Sequence, residues 1–365
     1  MIPSSHPLIG ILTHRHGSFL AGSSYCAQLT EVAARHKCAL VVYSPTDIDE
    51  VHGTLHGFRY NMHTKKWGRV QTRAPDIVYD RFSYMKRDAL RTYSAYRSKS
   101  RMRYLNNRFA HKWNAHRHFS RHPELARHLP VTVPLASGAL GKLSRRFPLL
   151  YAKPVNGSGG KGILRIRRRQ QLFEMVGRSG KEGVIRHTSH SLEAAERYVL
   201  TWAQQQKQTF VLQQGLSLSL IPGMICDSRV LVQKDVCGQW SITGMVGKQS
   251  PDRLVTSNLQ SGGKATSMLT LLTRRFSDEK AKAIMQSMQH LSLLLASHIE
   301  SRFGNFLEFG IDLGIDTEGY IWIIEVNPKP NRELFRLAGQ HDTYKRAIEA
   351  PILYALSVLE LEKPE

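Results

Sequence analysis

Three oxygen-bearing side chains near the C-terminus are spaced so that they can meet. Glu325 and Asn327 stand two apart in a β-rich run spanning Gly319–Asn327, so on a strand both point to one face. Asp312 lies in the preceding run, Leu307–Ile315, at nearly the same distance from the turn Asp316-Thr317-Glu318-Gly319. A hairpin would therefore set it roughly opposite them. Two carboxylates and an amide oxygen form a hard donor set suited to Mg²⁺ or Mn²⁺ shared with phosphate oxygens. The neighbours Ile311, Leu313, Ile323, Ile324 and Val326 are apolar. An unpaired carboxylate turned into them would be costly, which favours ligand duty. The alternative, with all three on a solvated face, stays open at this point.

A second feature is Gly157-Ser158-Gly159-Gly160-Lys161-Gly162, which satisfies GxGxxG. A dinucleotide loop runs from strand into helix, but here Ile163-Leu164-Arg165-Ile166-Arg167 alternates apolar and basic, as a strand does. A Walker A loop is excluded because Gly162 stands where Ser or Thr must follow the lysine. What remains is a glycine-rich hairpin able to cover a nucleotide's phosphates with backbone N–H groups, or a plain surface turn. The chain has neither the HRD nor the DFG segment of a protein kinase, and no GxSxG elbow. His111, His116, His118, His122 and His128 crowd one stretch; with no HExxH or paired cysteines they are expected to lie on a solvated basic helix.

The elements that must hold these residues are legible in outline. PLIGILT (7–13), a helical stretch over 25–36 and the apolar run 39–43 form a strand–helix–strand pattern, the mark of a parallel βαβ unit. A polar hairpin is expected over 60–70, a strand at PDIVYDRF (75–82), and a basic helical segment over about 86–128. From Pro130 short strands dominate: 149–154, 163–167, 210–216, 228–234 and 240–248. Ser191 and Ser277 are N-cap candidates. The helix after Ser277 carries Ile284, Met288, Leu291, Leu295 and Ile299 on one face.

The 365 residues exceed what one core usually supports, so two or three domains are expected. Apolar (41%) and charged (22%) fractions are those of a globular chain and exclude a disordered or collagen-like one. No apolar run reaches the length of a membrane helix, the N-terminus lacks a signal-peptide pattern, and Cys26, Cys38, Cys226 and Cys237 form no CxxC pair. A cytoplasmic protein with reduced thiols is the expectation. The net charge of +22 is uneven: 59–121 carry a balance of +14 and 142–181 of +10, leaving −2 for the rest. Such a field attracts nucleotides, anionic polymers or nucleic acid, or else is a solvated basic face with no specific partner.

The ordered set PDIVYDRF, HKWNAHRHFSRHPELARHLPVT, YAKPVNGSGGKGILRI, VLQQG, DSRVLVQK, SNLQSGG and EFGIDLGIDTEGYIWIIEVNPKP resembles the ATP-grasp superfamily. More narrowly it is similar to the YheC/YheD-type endospore coat-associated proteins of spore-forming bacteria. The resemblance implies an α/β (α+β lobes) ATP-grasp fold. Its parts would be an N-terminal βαβ pre-ATP-grasp domain (1–105), a central lobe with the lysines and the glycine loop (106–215), and a C-terminal metal-binding lobe (216–365). It implies that Lys112 and Lys153 reach the ATP phosphates under the loop Gly157–Gly162, and that Gln213, Gln214 and Gly215 border adenine. Arg229 would hold phosphate or an intermediate, Lys248 would add a further cation, and Asp312, Glu325 and Asn327 would bind magnesium. The hinge carries glutamine where many such enzymes have an acidic residue; Asn258 and Gly262-Gly263 would touch the acceptor. The implied activity is ATP- and Mg²⁺-dependent joining of an unidentified carboxylate to an amine through an acylphosphate. Alternatives are a spore-coat protein that binds nucleotide without turnover, and a basic binder of an anionic polymer.

Overall fold

The computed structural model describes residues 6–17, 19–49, 51–83, 87–109, 112–155, 162–179, 183–251 and 263–361. The first sheet grows from the all-buried strand β1 (Leu8–Leu12), which has the continuous apolar character of a strand covered on both faces. A short hairpin, β2 (Arg15–His16) and β3 (Phe19–Leu20), leads into helix α1 (Ser23–Arg35) and strand β4 (Ala39–Tyr43). Strands β5 (Ile48–Asp49), β6 (Thr54–Asn61), β7 (Lys66–Arg73) and β8 (Ile77–Asp80) complete the sheet. β1 pairs in parallel with β4 on one side and β8 on the other, as the βαβ reading requires. The β6–β7 hairpin forms the exposed antiparallel edge.

The basic segment is not one helix. It divides into α2 (Arg87–Lys99), α3 (Lys112–Phe119) and α4 (Pro123–Arg127). Between α2 and α3 the backbone pairs with β8 instead: Val78 N–H donates to Arg103 O and Leu105 N–H to Val78 O, burying Leu105 in the core beside Ile77 and Tyr79. Sheet pairing outweighs helix propensity there. The expectation of a solvated histidine face is corrected too. His122 caps α4 by accepting Leu125 N–H, His128 Nδ1 lies 2.7 Å from Ile321 O, and His118 packs edge-on against Phe303. All three are half-buried. His111 lies outside the described residues. Among the described residues no cluster of histidine, cysteine and carboxylate able to hold a metal occurs.

The second sheet is antiparallel. After β9 (Thr132–Pro134) and α5 (Ala139–Ser144) come β10 (Leu149–Pro154), β11 (Leu164–Arg169), β12 (Leu172–Ser179) and β13 (Gly183–Ser189). Helix α6 (Leu192–Gln205), capped by the Ser191 hydroxyl, then leads to β14 (Phe210–Gln214). The order is β13-β12-β11-β10-β14-β9. Its core holds Leu150, Ala152, Leu164 and Ile166 against Val199 and Trp202 of α6.

The third sheet, β17-β16-β15-β18-β19, uses β15 (Met224–Lys234), β16 (Trp240–Pro251), β17 (Lys264–Ser267), β18 (Glu308–Ile315) and β19 (Ile321–Asn327). Helices α7 (Met268–Leu272) and α8 (Asp278–Phe303) cover one face. Ser277 caps α8, and Ile284, Met288, Leu291, Leu295 and Ile299 are buried along it, as their spacing predicts. Two helices follow, α9 (Glu333–Leu337) and α10 (His341–Glu360). The second returns to the first sheet: Ile348, Ile352 and Ala355 share a core with Ile9, Ile11, Cys26 and Leu29. Among the described residues no helix is long and apolar enough to cross a membrane.

Candidate functional site

The site lies on the face of the third sheet opposite α8. On β18, Ile311, Leu313 and Ile315 turn into the core, so Asp312 points the other way. On β19, Ile321 and Ile323 are core residues, and strict alternation would carry Glu325 and Asn327 into the core after them. A bulge prevents this. The register runs Asp312 opposite Glu325 but Leu313 opposite Ile323, leaving Ile324 as the extra residue. Beyond it the alternation reverses: Val326 packs on the core, and Glu325 and Asn327 join Asp312 on the face turned away from α8.

The neighbouring strands add charge to the same face. In DSRV, Asp227 and Arg229 are two apart on β15; Arg229 pairs with Asp312 across one side, and Asp227 pairs with Lys248 of β16 across the other. Arg229 Nε donates to Asp312 Oδ1 at 2.7 Å and its Nη2 to Oδ2 at 3.0 Å, a bidentate contact. Lys248 Nζ lies 3.2 Å from Asp312 Oδ1 and 2.9 Å from Asp227 Oδ1. Asn327 Nδ2 donates to Asp312 Oδ2 at 3.3 Å. Burial alone would raise the Asp312 carboxyl, but the Arg229 and Lys248 charges outweigh it and hold it at about 2. Burial likewise opposes the ammonium of Lys248, yet Asp227 and Asp312 shift it upward on balance. Asp227 was missed in the sequence; its signal was the i,i+2 spacing to Arg229. Gly310 leaves room for this packing, since a Cβ there would stand 2.7 Å from Pro330 Cβ and 3.1 Å from Arg229 Nη1.

The strand that ends in Asn327 is held from the first sheet. Lys329 Nζ donates to Asp80 Oδ1 (2.8 Å) and Phe82 O (2.7 Å), and Arg81 Nη2 to Pro330 O (3.1 Å). Behind this loop the fully buried Glu308 gathers Arg81, Arg332, Tyr79 and Gln233. The charged ends of two apolar strands, Asp80-Arg81 and Glu308, were the only sequence sign of this clamp.

Lys153 belongs to the second sheet. Its Nζ donates to Gln213 Oε1 at 2.6 Å and lies 5.3 Å from the centre of the Tyr151 ring, while Gln213 Nε2 donates to Thr132 Oγ1. Gln214 Oε1 accepts from Val131 N–H, so this side chain ties β14 to the strand beside it. Gly215 is required for space: a Cβ there would stand 2.8 Å from Leu149 Cβ. Lys112 is the first residue of α3. Gly162 has φ 70°, a backbone suited to glycine, and a Cβ there would stand 3.7 Å from Pro154 Cγ. Gly157, Ser158, Gly159, Gly160 and Lys161, and likewise Asn258 and Gly262, lie outside the described residues.

A parallel βαβ unit followed by two antiparallel sheets, the second bearing an Asp/Glu/Asn hairpin, defines an ATP-grasp fold. D-alanyl-alanine synthetase A from Vibrio cholerae O1 has this fold: it matches 98% of this chain and 100% of its own, with TM-score 0.59 and 10% identity. Residues 101–358 match the family described as YheC/D like ATP-grasp, and the chain belongs to that family. Two proteins from Bacillus subtilis (strain 168) are similar to this chain in sequence. Endospore coat-associated protein YheD is 26% identical over 347 residues, covering 92% of this chain and 75% of its own. Endospore coat-associated protein YheC is 20% identical over 320 residues, covering 85% and 86%.

Proposed function

We propose that the protein is an ATP-dependent ligase that joins a carboxylate to an amine, or a related nucleophile, through an acylphosphate. The reading rests chiefly on the cluster in which Arg229 and Lys248 converge on Asp312 opposite Glu325 and beside Asn327. Three carboxylates, Asp227, Asp312 and Glu325, meet two cations there. The donors are of the kind a hard divalent ion takes: two carboxylates and an amide share one face of the sheet, and the surplus carboxylate leaves net negative charge. Asp312, Glu325 and Asn327 would hold Mg²⁺, and the ion would supply neutralisation of the charge on the phosphate oxygens.

The chain's own groups do the rest. Lys153, with Lys112 and the loop Gly157–Gly162, would position the triphosphate; Arg229 and Lys248 would present fixed positive charge to the transferring phosphoryl oxygens. An oxygen of the acid attacks the γ-phosphorus, the bond to the β–γ bridging oxygen breaks, and ADP leaves. The amine nitrogen then attacks the acyl carbon, the carbon–oxygen bond to phosphate breaks, and the amine proton passes to solvent or departing phosphate. No protein nucleophile is consumed. Gln213 and Gln214 border the nucleotide in this reading, with Gln214 occupied in holding Val131.

Calorimetry with Mg·AMP-PNP tests the nucleotide half: binding to wild type, weakened roughly tenfold or more in Lys153→Ala, is expected. Failure of well-folded wild-type protein to bind would overturn it. For turnover, ADP release should depend on added acid and amine and fall roughly hundredfold in Glu325→Gln. Two observations favour a second reading. Asp312 already receives four protein donors on its two oxygens, and the relatives are named for the spore coat. A coat-associated protein that binds nucleotide without turnover would show AMP-PNP binding and no product over a broad screen of acids and amines.

A further inference from the structure

Away from the third sheet's charged face, a pocket of about 430 Å³ opens between the C-terminal ends of α2 and α8. Arg97, Ser100, Tyr104, Asn107, Arg108 and Phe303 line it, and among the described residues no carboxylate does. Arg97 is 6% exposed along its side chain and stacks over the Tyr104 ring, 3.3 Å from its centre. Its Nε makes no hydrogen bond but an ion-pair contact, 3.4 Å, with Asp80 Oδ2, and its Nη2 donates to Asn106 O at 3.4 Å, which leaves Nη1 as its uncommitted nitrogen among the described residues. Arg108 is exposed and makes no hydrogen bond or ion pair among the described residues.

We infer that this pocket binds a phosphomonoester of about sugar size, with Arg97 at its floor and Arg108 at its rim gripping the phosphate. Charge decides the class of ligand. Asp80 is shared by two cations, Arg97 and Lys329, so one positive charge remains after pairing, and Arg108 adds a second. A phosphomonoester carries about −1.5 to −2 at neutral pH and cancels that excess; a monocarboxylate would not. Arg108 presents the paired donors that match phosphate oxygens, and Arg97, held by Asp80, Asn106 and the Tyr104 ring, adds charge already fixed in orientation. Exposed Lys99, Arg101, Arg103 and Arg302 stand nearby in sequence on the same two elements and their flanks, and raise the local potential further. The helix C-termini oppose an anion, but that effect fades within a turn and Asn107 Nδ2 already occupies Phe303 O at 2.9 Å. The volume exceeds that of a phosphate ion and leaves space for a polar body beside Ser100 and Asn107. The inference does not depend on the ligase reading.

The test uses the full chain saturated with Mg·AMP-PNP, so that phosphate sites elsewhere are filled. Ribose 5-phosphate, inorganic phosphate, glutarate and ribose are titrated calorimetrically. Ribose 5-phosphate is expected to bind saturably, with affinity reduced roughly ten- to hundredfold in Arg108→Ala, an exposed position that leaves the fold intact. Arg59→Ala, on the exposed β6–β7 hairpin, should leave that affinity unchanged. Inorganic phosphate binding with the same Arg108 dependence would support the site and assign its affinity to the anionic head. Ribose 5-phosphate failing to bind at about 1 mM, binding equally in Arg108→Ala, losing affinity equally in Arg59→Ala, or being matched by glutarate or ribose would each overturn the inference.

Discussion

Asp312 shows how one side chain can be both ionised and buried. Isolation from water disfavours its charge, but Arg229 and Lys248 reverse the balance and lower its carboxyl to about 2. A folded-state value below the unfolded one, about 3.9, means that the stabilisation is fully present above that pH and is lost as pH falls toward about 2. Asp312→Asn should therefore cost about 3–5 kcal/mol at neutral pH, because Arg229 and Lys248 lose a shared counter-charge. Urea melts should show this gap steady from pH 7 to about 4 and narrowing below it; a gap independent of pH would contradict the assignment. The cysteines offer a simpler check. Burial pushes the Cys26 and Cys38 thiols up to about 12 and about 11, and Cys226 is buried too, whereas Cys237 is exposed. A thiol reagent at neutral pH should label one cysteine in the native protein and the other three only after unfolding.

Among the elements, the hairpin was the most legible part of the site. Asp312 and Glu325 lie at nearly the same distance from a turn that Gly319 closes at φ 93°, and they do pair across the strands. The bulge at Ile324 was not legible, because an extra residue leaves the apolar pattern of IWIIEV intact and shows only in the register. Yet the bulge is what turns Glu325 and Asn327 out of the core. Similarly, the strand VLQQG was recognisable, but the reason for its glycine was not. Leu149 packs where a side chain at 215 would stand, and its Cβ cannot move without its backbone. Gly215→Ala should destabilise the protein by about 1–3 kcal/mol, read as a lower urea midpoint with unchanged slope. An unaltered midpoint would show that β10 and β14 can separate freely.

At the scale of the whole molecule, the C-terminal helix ties the chain's end to its beginning. Residues 341–360 lie far from 8–43 in sequence, but Ile348, Ile352 and Ala355 complete the core around Ile9, Ile11 and Leu29. Ile352→Ala should cost about 2–5 kcal/mol. Hydrogen exchange should accelerate in α1, β1 and β4, more than 300 residues away in sequence, while α6 and β11 stay protected. Acceleration confined to α10 would mean that the helix merely rests on the surface. The Glu308 cluster works in the same sense: Arg81 of the first sheet and Arg332 beyond the third meet one buried carboxylate, which fixes the loop following Asn327.

The sequence alone determined the local grammar: the βαβ opening, the capped amphipathic helix, the closing hairpin and the ordered motifs of the ATP-grasp family. These follow from periodicity, capping and turn chemistry, which act over a few residues. Tertiary structure alone decided that the basic segment breaks to pair with β8, that a bulge reverses the face of β19, that Asp227 joins the charged cluster, and that α10 returns to the first core. Each depends on partners distant along the chain, and side-chain periodicity carries no record of which distant strand or helix will supply them.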